Sequence, residues 1–255
     1  MSDRARALAF LRMIDERAST RVEHLRFGTA YLCPELPTVW ARNFVWAEAE
    51  IDDGELLELV SEAEDLHARA GLAHRRLVFA DPGSGSRAAA ALGPAGWRVQ
   101  GDRVMIYRGF SPPKHDASPV QEVELSALRP LSIAAYSEHP DVRDPETIEH
   151  LLRAEELVAG ATNARAFAVL VDGAVVSSCR LFSDGSTAQI EDVATLPEFR
   201  KRGYSRAVVS RAITAAVESH DLIFLLAADD NWPRHWYERI GFEDAGLLPE
   251  LLRKG

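Results

Sequence analysis

The stretch PEFRKRGYSRAV, residues 197–208, decides how this sequence is interpreted. It joins a strand-like segment that ends near Thr195 to an apolar, helix-like run that begins near Gly203. The first N–H groups of a helix have no intrahelical partner and lie at the positive end of the helix dipole, so they suit a diphosphate. A solvated basic corner would show the same letters. The neighbouring segments must decide between the two interpretations.

Cations surround the one glycine of this stretch. A glycine lets a phosphate approach the backbone closely, and the side chains around it add positive charge. They are Arg200, Lys201, Arg202 and Arg206. A strand, a bend and a helix with one glycine form a weak signal when they stand alone.

A second informative segment is DDNWPRHWYERIGF, residues 229–242. Asn231 is suited to cap a helix that Gly241 ends, with Pro233 in the first turn. Tyr237 on this helix could donate its phenolic proton to a leaving thiolate. It could equally be a half-buried aromatic that serves packing alone.

Composition and charge restrict the function classes. The chain has 255 residues and a formal charge of −10, which argues against broad nucleic-acid binding. No stretch approaches the roughly 20 apolar residues that span a bilayer, and the charged N-terminus lacks a signal-peptide core. We therefore expect a cytoplasmic protein without membrane partners. Cys33 and Cys179 lie far apart and suggest neither a disulfide nor a metal site, and we expect Cys179 to be buried.

Hydrophobic spacing predicts alternating strands and helices. The predicted helices cover residues 5–17, 53–71, 87–96, 128–138, 145–159, 203–218 and 231–239. The predicted strands cover residues 38–48, 75–80, 102–109, 166–171, 174–182, 187–195 and 222–228. A segment rich in Pro and Ser without periodicity predicts a linker at 111–119, between a domain at 1–110 and a domain at 120–255.

A faint internal repeat relates the two predicted domains. An offset of about 145 residues places residues 77–97 over 222–242, with Gly96 on Gly241 and Trp97 on Phe242. The same offset places Glu58 where Gly203 stands and Leu92 where Tyr237 stands. We interpret the halves as two copies of one α/β unit, of which the first has lost the special residues. The alternative is that any two strand–helix units look alike.

The two segments together carry a family resemblance. The run Arg200-Lys201-Arg202-Gly203-Tyr204-Ser205 resembles the Arg/Gln-x-x-Gly-x-Gly/Ala acyl-CoA-binding motif of the GNAT acyltransferase superfamily. Asn231 with the run from Trp236 to Phe242 resembles the next motif of that family, and the resemblance spans about residues 120–250. Trp236 replaces an aliphatic residue, and Ser205 replaces Gly or Ala. We expect Ser205 to leave the phosphate loop intact.

The resemblance implies a fold and a set of site residues. It implies an α/β (α+β) protein of two GNAT-like units, each a mixed, mostly antiparallel twisted sheet flanked by helices. Backbone groups of three residues would hold the pantetheine arm: Val193, Ala194 and Thr195. Seven residues would hold the diphosphate: Arg200, Lys201, Arg202, Gly203, Tyr204, Ser205 and Arg206. Asn231 would lie near the thiol, and Tyr237 would protonate the thiolate.

The remaining role that the resemblance implies is that of the general base. Glu191 is our candidate, because strand alternation gives it the same side as Val193 and Thr195 and points Asp192 the other way. Alternatively, Glu191 pairs with an arginine such as Arg180. We expect no metal ligands.

The resulting hypothesis is an acetyl-CoA-dependent N-acetyltransferase that acts by direct attack of an amine of a small molecule or peptide. Two alternatives stay open: a non-catalytic acyl-CoA-binding sensor or interaction module, and a nucleotide-phosphate binder. An acidic cluster at residues 48–53 suggests a cationic acceptor, although a solvated acidic edge would look the same. The identity of the amine and the existence of a homodimer are left open.

Overall fold

The order of strands in the sheet ties the two halves of the chain together. The computed structural model describes residues 1–109, 119–142, 144–229 and 233–255. In this part of the chain, eleven strands form one sheet in the order β1-β2-β3-β4-β11-β5-β10-β9-β8-β7-β6. The predicted linker at 111–119 lies outside the described residues, apart from Pro119.

The strands are β1 (Arg21–His24), β2 (Gly28–Leu32), β3 (Asn43–Ala47), β4 (Arg75–Phe79), β5 (Arg98–Tyr107), β6 (Val120–Val123), β7 (Arg165–Val171), β8 (Ala174–Ser183), β9 (Thr187–Thr195), β10 (Leu222–Ala228) and β11 (Phe242–Arg253). The helices are α1 (Asp3–Ala18), α2 (Asp53–Arg69), α3 (Pro82–Leu92), α4 (Arg129–Ser137), α5 (Pro145–Ala161), α6 (Tyr204–Val217) and α7 (Pro233–Arg239). Among the strands of the described residues, only the β3–β4 and β9–β10 pairs are parallel. The predicted mixed, mostly antiparallel sheet is therefore confirmed.

Each half contributes its last strand to the middle of the sheet. Strand β11 lies between β4 and β5, while β5 lies between β11 and β10. The β5–β11 pair is long, running from Phe242 opposite Tyr107 to Leu252 opposite Arg98. The sheet therefore has no break between the halves, and the division at 111–119 stays a prediction about the chain.

Helices cover both faces of the sheet. We call the face under α2, α3, α6 and α7 the cofactor face and the face under α1, α4 and α5 the acceptor face. Val208 and Phe242 belong to the apolar core of the cofactor face in the C-terminal half, whereas Phe10 and Phe224 belong to the core under α1. Cys179 is fully buried, as predicted. Within the described residues, no helix is long and apolar enough to cross a membrane.

The two halves agree with the predicted alignment at Gly96 and Gly241 and differ from it at the helix starts. Gly96 and Gly241 both adopt positive φ, of 87° and 105°, and the aromatic residue after each is buried. The N-cap of α2 is Asp52 and that of α6 is Gly203, so Glu58 is not the counterpart of Gly203. The two N-caps, Asp52 and Gly203, are 151 residues apart (203 − 52), so the offset of about 145 residues that aligns the strands misplaces the helix starts.

Candidate acyl-CoA site

The start of α6 presents free backbone donors. Its N-cap Gly203 has φ 85° and ψ 0°, and among the described residues no side chain caps the helix. The first bond of the helix runs from the Ala207 N–H to the Gly203 carbonyl, at 3.0 Å. The N–H groups of the first turn, at Tyr204, Ser205 and Arg206, precede that bond and have no intrahelical acceptor. Such a helix start holds anions well.

The cations around this helix start differ in how strongly they are engaged. Arg200 donates to both Glu138 carboxylate oxygens, at 2.8 and 2.7 Å. The guanidinium of Arg202 lies 5.1 Å from the centre of the Phe199 ring. Within the described part of the chain, Lys201 and Arg206 form no ion pair. These two side chains are therefore the cations most available to a ligand.

Most of the predicted cofactor residues line one cavity of about 860 Å³. Eight of them do so: Val193, Ala194, Thr195, Arg200, Lys201, Gly203, Ser205 and Arg206. Arg202 and Tyr204 are not among its lining residues, and Asn231 lies outside the described residues. Trp236, which resemblance to the family did not single out for binding, lines the same cavity.

The hydroxyl of Ser205 explains why a serine is accommodated in this motif. Its Oγ lies 2.9 Å from the Thr195 Oγ1, which lies 2.8 Å from the Ser177 Oγ. This chain of hydroxyl groups fastens the start of α6 to the ends of β8 and β9. Through these hydrogen bonds Ser205 stabilises the packing of the start of α6 against the strand ends, which an alanine, having no hydroxyl group, could not do.

Strands β9 and β10 separate beside this cavity. Their pairing ends at Ile190 opposite Leu225, whereas β9 pairs with β8 as far as Thr195 opposite Ser177. Residues 191–195 therefore have no β10 partner, although β10 continues along β5 to Ala228. An edge exposed in this way can accept an extended ligand as an added strand.

A bulge at Asp192 corrects the predicted alternation along β9. Asp192 has φ 53°, and the register with β8 shifts between Ser178 and Arg180. As a result, Glu191 and Asp192 line the same cavity on the acceptor face, while Val193 packs against the core of the cofactor face. The prediction that Glu191 shares a side with Val193 and Thr195 is wrong, because a bulge adds one residue to the alternation. Asp192 lies on the side opposite Val193, as predicted, but on the same side as Glu191.

The surroundings of Glu191 suit a proton acceptor. Its carboxylate accepts a hydrogen bond of 2.6 Å from the Gln189 side chain. Burial, reinforced by Asp192 and Asp102, raises the pKa of Glu191 to about 8. The alternative pairing with Arg180 is absent among the described residues, since Arg180 binds Asp192 at 2.6 Å and Glu155 at 2.7 Å.

Tyr237 lies on the other side of the sheet from Glu191. Its ring packs between Trp236 and Phe242 in the core of the cofactor face, with centroid distances of 4.9 and 5.8 Å. Burial raises the pKa of the Tyr237 phenol, and the nearby Glu191 raises it further. The phenol therefore keeps its proton at neutral pH. Strands β9 and β10 separate directly before Glu191, and the α7 helix that carries Tyr237 packs against β10.

Sequence reasoning missed two adjoining cavities on the acceptor face. The inner cavity, of about 290 Å³, lies between α1 and α5 and includes Glu191 in its wall. The outer cavity, of about 430 Å³, shares Val193 and Ala194 with the α6 cavity. Because their walls come from segments far apart in the sequence, no local motif indicates them.

Comparisons with known proteins place this site in a family. The acetyltransferase (GNAT) family model matches residues 126–242, which include the α6 motif, the end of β9 and Tyr237. No curated protein matches the sequence.

Several solved structures have a similar fold. A functionally unknown conserved protein from Staphylococcus epidermidis ATCC 12228 has a TM-score of 0.70 at 14% identity, over 93% of this chain and 94% of that one. A GCN5-related N-acetyltransferase from Kribbella flavida has a TM-score of 0.67 at 18% identity, over 99% and 95%. A tandem GNAT protein from the clavulanic acid biosynthesis pathway has a TM-score of 0.52 at 14% identity, over 78% and 69%. At these identities the likeness shows the fold. Residues 126–242 therefore form a domain of the acetyltransferase (GNAT) family, and the chain as a whole shares its fold with a tandem GNAT protein.

Proposed function

We propose that the protein is an acetyl-CoA-dependent N-acetyltransferase that transfers an acetyl group to an amine of a small molecule or peptide. The observation that carries this proposal is that the uncapped start of α6 and the exposed edge of β9 meet in one cavity. A diphosphate and a pantetheine arm require these two features. Acetyl-CoA enters the reaction as a substrate.

The chain offers a fitting place for each part of acetyl-CoA. The N–H groups at the start of α6, with Lys201 and Arg206, would hold the diphosphate. The backbone of residues 193–195 would hold the pantetheine arm by strand addition. The thioester would then lie near the point where β9 leaves β10, between Glu191 and Tyr237.

The proposed reaction is a direct transfer. Glu191 accepts a proton from the amine, whose nitrogen forms a bond to the thioester carbonyl carbon. The C–S bond then breaks, and the phenolic proton of Tyr237 passes to the departing sulfur. A base whose pKa is about 8 is matched to an amine near neutral pH. Most of the acceleration would come from holding both substrates in attack geometry.

Two conservative substitutions test this assignment. For Tyr237→Phe and for Glu191→Gln we expect kcat to fall by about 10²–10³-fold, the range of general acid–base catalysis. Acetyl-CoA affinity should stay within about threefold, because neither side chain lines the α6 cavity. Thiol release from acetyl-CoA across a panel of amines gives the rates.

The matched controls make the same two types of substitution at positions away from the reacting atoms. Tyr31→Phe, in the core under α1, and the exposed Glu198→Gln should keep wild-type turnover. If Tyr237→Phe and Glu191→Gln also kept it, the assigned acid and base would be wrong. If no amine caused thiol release although acetyl-CoA bound, the non-catalytic acyl-CoA-binding module would be the better description.

A further inference from the structure

A loop of the N-terminal half forms one wall of the cavities on the acceptor face. We call residues 33–42 the wall loop. Its shape is fixed by Asn43, whose side-chain oxygen accepts from the Cys33 N–H at 2.9 Å. The side-chain nitrogen of Asn43 donates to the carbonyls of Leu36 and Val39, at 3.0 and 3.1 Å. Because Asn43 is fully buried, these bonds hold the loop without competition from water.

The wall loop packs directly on the C-terminal half. Cys33, Leu36 and Val39 form an apolar cluster with Ala154 of α5. The Thr38 hydroxyl lies 2.8 Å from the His150 Nδ1 on the same helix. The N-terminal half therefore encloses a space whose other wall carries Glu191.

The enclosed space is large enough for an organic side group and mostly apolar in its walls. The inner cavity measures about 290 Å³. A cavity of about 150 Å³ already accommodates benzene. Its apolar walls come from strands of both halves and from α5: Phe44, Trp46, Val78, Val158, Phe182 and Leu226. Such a space suits an aromatic or branched aliphatic group.

Tyr136, Glu155 and Asp192 stand where the two cavities adjoin. All three line both cavities. The Tyr136 hydroxyl donates to Glu155 at 2.6 Å, and the neighbouring Arg180 bridges Glu155 and Asp192. Two carboxylates therefore lie where the inner cavity adjoins the outer cavity. The outer cavity in turn extends to Val193 and Ala194.

Carboxylates outnumber guanidinium groups in the walls. Six carboxylates line the two cavities among the described residues: Asp15, Asp141, Glu155, Glu191, Asp192 and Glu250. Three arginines do so: Arg42, Arg76 and Arg180. Each arginine is already in an ion pair of 2.6–2.7 Å with a wall carboxylate. Asp141 is paired with Lys254, and the raised pKa of Glu191 leaves that group largely protonated at neutral pH, so the excess of negative charge lies at Glu155 and Asp192, which share Arg180. A cationic ligand meets this excess, whereas an anionic ligand meets, among the described wall residues, no guanidinium that lacks a carboxylate.

We propose that the acceptor is a cationic amine carried on an apolar aromatic or branched aliphatic group, without a carboxylate beside the amine, and that the N-terminal half forms the pocket for that group. The proposal rests on the proposed function for its role as acceptor site. The excess of carboxylates attracts the ammonium group. A carboxylate on the substrate would be desolvated without an available partner, which is strongly unfavourable.

Matched pairs of amines that differ only in a carboxylate test the charge argument. With the full-length protein, we expect kcat/KM for phenethylamine and 3-methylbutylamine to exceed that for phenylalanine and leucine by at least tenfold. Ligand-observed NMR titrations should show the same order of affinity without requiring turnover. Equal or better use and binding of the two amino acids would overturn the proposal.

A substitution in the wall loop tests the position of the pocket. Ala41 is exposed yet lines both cavities, so Ala41→Trp narrows the space with little risk to folding. We expect it to weaken phenethylamine binding and raise its KM by at least fivefold, with the KM for acetyl-CoA within twofold of wild type. The control is Ala68→Trp, at an exposed position on α2 away from the cavities, which should change neither value. An Ala41→Trp variant that behaves like this control would contradict the proposal.

The two readouts separate failure of the inference from failure of the proposed function. Selective amine binding that Ala41→Trp weakens, without thiol release, would support the pocket and contradict acetyl transfer. Thiol release without preference between the amines and the amino acids would support acetyl transfer and contradict the pocket.

Discussion

In both halves of the chain a strand is followed by a helix, but the start of that helix is capped differently in the two halves. In the C-terminal half, α6 begins at Gly203 without a side-chain cap. In the N-terminal half, α2 begins at Asp52, whose carboxylate accepts from the Glu55 N–H at 2.9 Å. The Glu55 side chain accepts from the Asp52 N–H, also at 2.9 Å. This reciprocal cap fills the helix start with the chain's own carboxylates, so a diphosphate would be both displaced and repelled.

The pairing of the parallel strands beside each helix start also differs between the halves, and again the C-terminal half is the more open one. In the C-terminal half, β9 runs on past its last pairing with β10. In the N-terminal half, β3 and β4 stay paired to Ala47 opposite Phe79, and the Ala80 N–H continues the contact by donating to the Ala47 carbonyl at 3.0 Å. One unit thus has both an open helix start and an open strand edge, and the other has neither. This difference supports the prediction that the N-terminal unit keeps the strand–helix arrangement without a cofactor site.

The largest effect should come from producing the two halves of the chain as separate fragments. Because β5 and β11 pair with each other and lie between strands of the opposite half, we expect neither residues 1–110 nor residues 120–255 to unfold cooperatively alone. Each fragment would leave a long strand edge unpaired. Thermal unfolding followed by near-UV circular dichroism measures this. A cooperative transition for residues 120–255 alone, with acetyl-CoA binding retained, would mean that the halves are independent units.

The next largest effect should come from giving α6 the cap that α2 has. Gly203→Asp places a carboxylate where the diphosphate would bind, and we expect acetyl-CoA affinity to fall by at least about 100-fold, roughly 3 kcal/mol. Asp tolerates positive φ better than most residues, so the backbone cost is small. Gly203→Ala is the matched control, since its Cβ meets open space, and it should lose less than about tenfold. Equal affinities for the two variants, measured by calorimetry, would show that charge at this position is unimportant.

A smaller effect should appear in the pH dependence of stability. The pKa of Glu191 is raised in the folded protein from 4.5 to about 8, so the folded state binds more protons in this range. The free energy of unfolding should therefore fall as pH rises from about 4.5 to 8, and Glu191→Gln should remove this fall. We expect the variant to be more stable than wild type at pH 8 by on the order of 2 kcal/mol. Urea denaturation at several pH values measures it, and parallel curves for both proteins would contradict a buried, uncompensated carboxylate.

The smallest effect should follow from removing the cap of α2. Asp52→Ala should destabilise the protein by about 1 kcal/mol, the usual contribution of an N-cap. Acetyl-CoA affinity should not change, because α2 has no part in the proposed cofactor site. Denaturation and calorimetry together check both statements. A change in affinity here would indicate that the first helix start also contacts the ligand.

Local patterns in the sequence predicted the elements that build the cofactor site. The bounds of β9 and β10 agree with the predicted strands at 187–195 and 222–228, since apolar, β-branched runs bounded by turns leave little ambiguity. The predicted phosphate loop also lies at a helix start. Strand β11 was missed beyond Phe242, because Gly246 and Pro249 interrupt its pattern and a bulge follows Asp244.

Local patterns in the sequence could not predict the cavities on the acceptor face or the side chains that line them. The bulge at Asp192 depends on a single positive φ that strand alternation does not encode, and it places Glu191 on the side opposite Val193 and on the same side as Asp192. The pocket wall depends on Asn43 and α5, which are more than 100 residues apart in the chain and meet only in the folded sheet. Periodicity reports which side of one element is buried, not which distant segment covers it.

The number of acetyl-CoA molecules bound per chain tests the central claim most directly. Calorimetric titration of the full-length protein with acetyl-CoA, in the absence of amine, should give a stoichiometry of one, because only the C-terminal unit has an open helix start beside an open strand edge. A stoichiometry of two would show that the N-terminal unit also binds acetyl-CoA. If acetyl-CoA did not bind at all, the assignment of the diphosphate site at Gly203 would be contradicted.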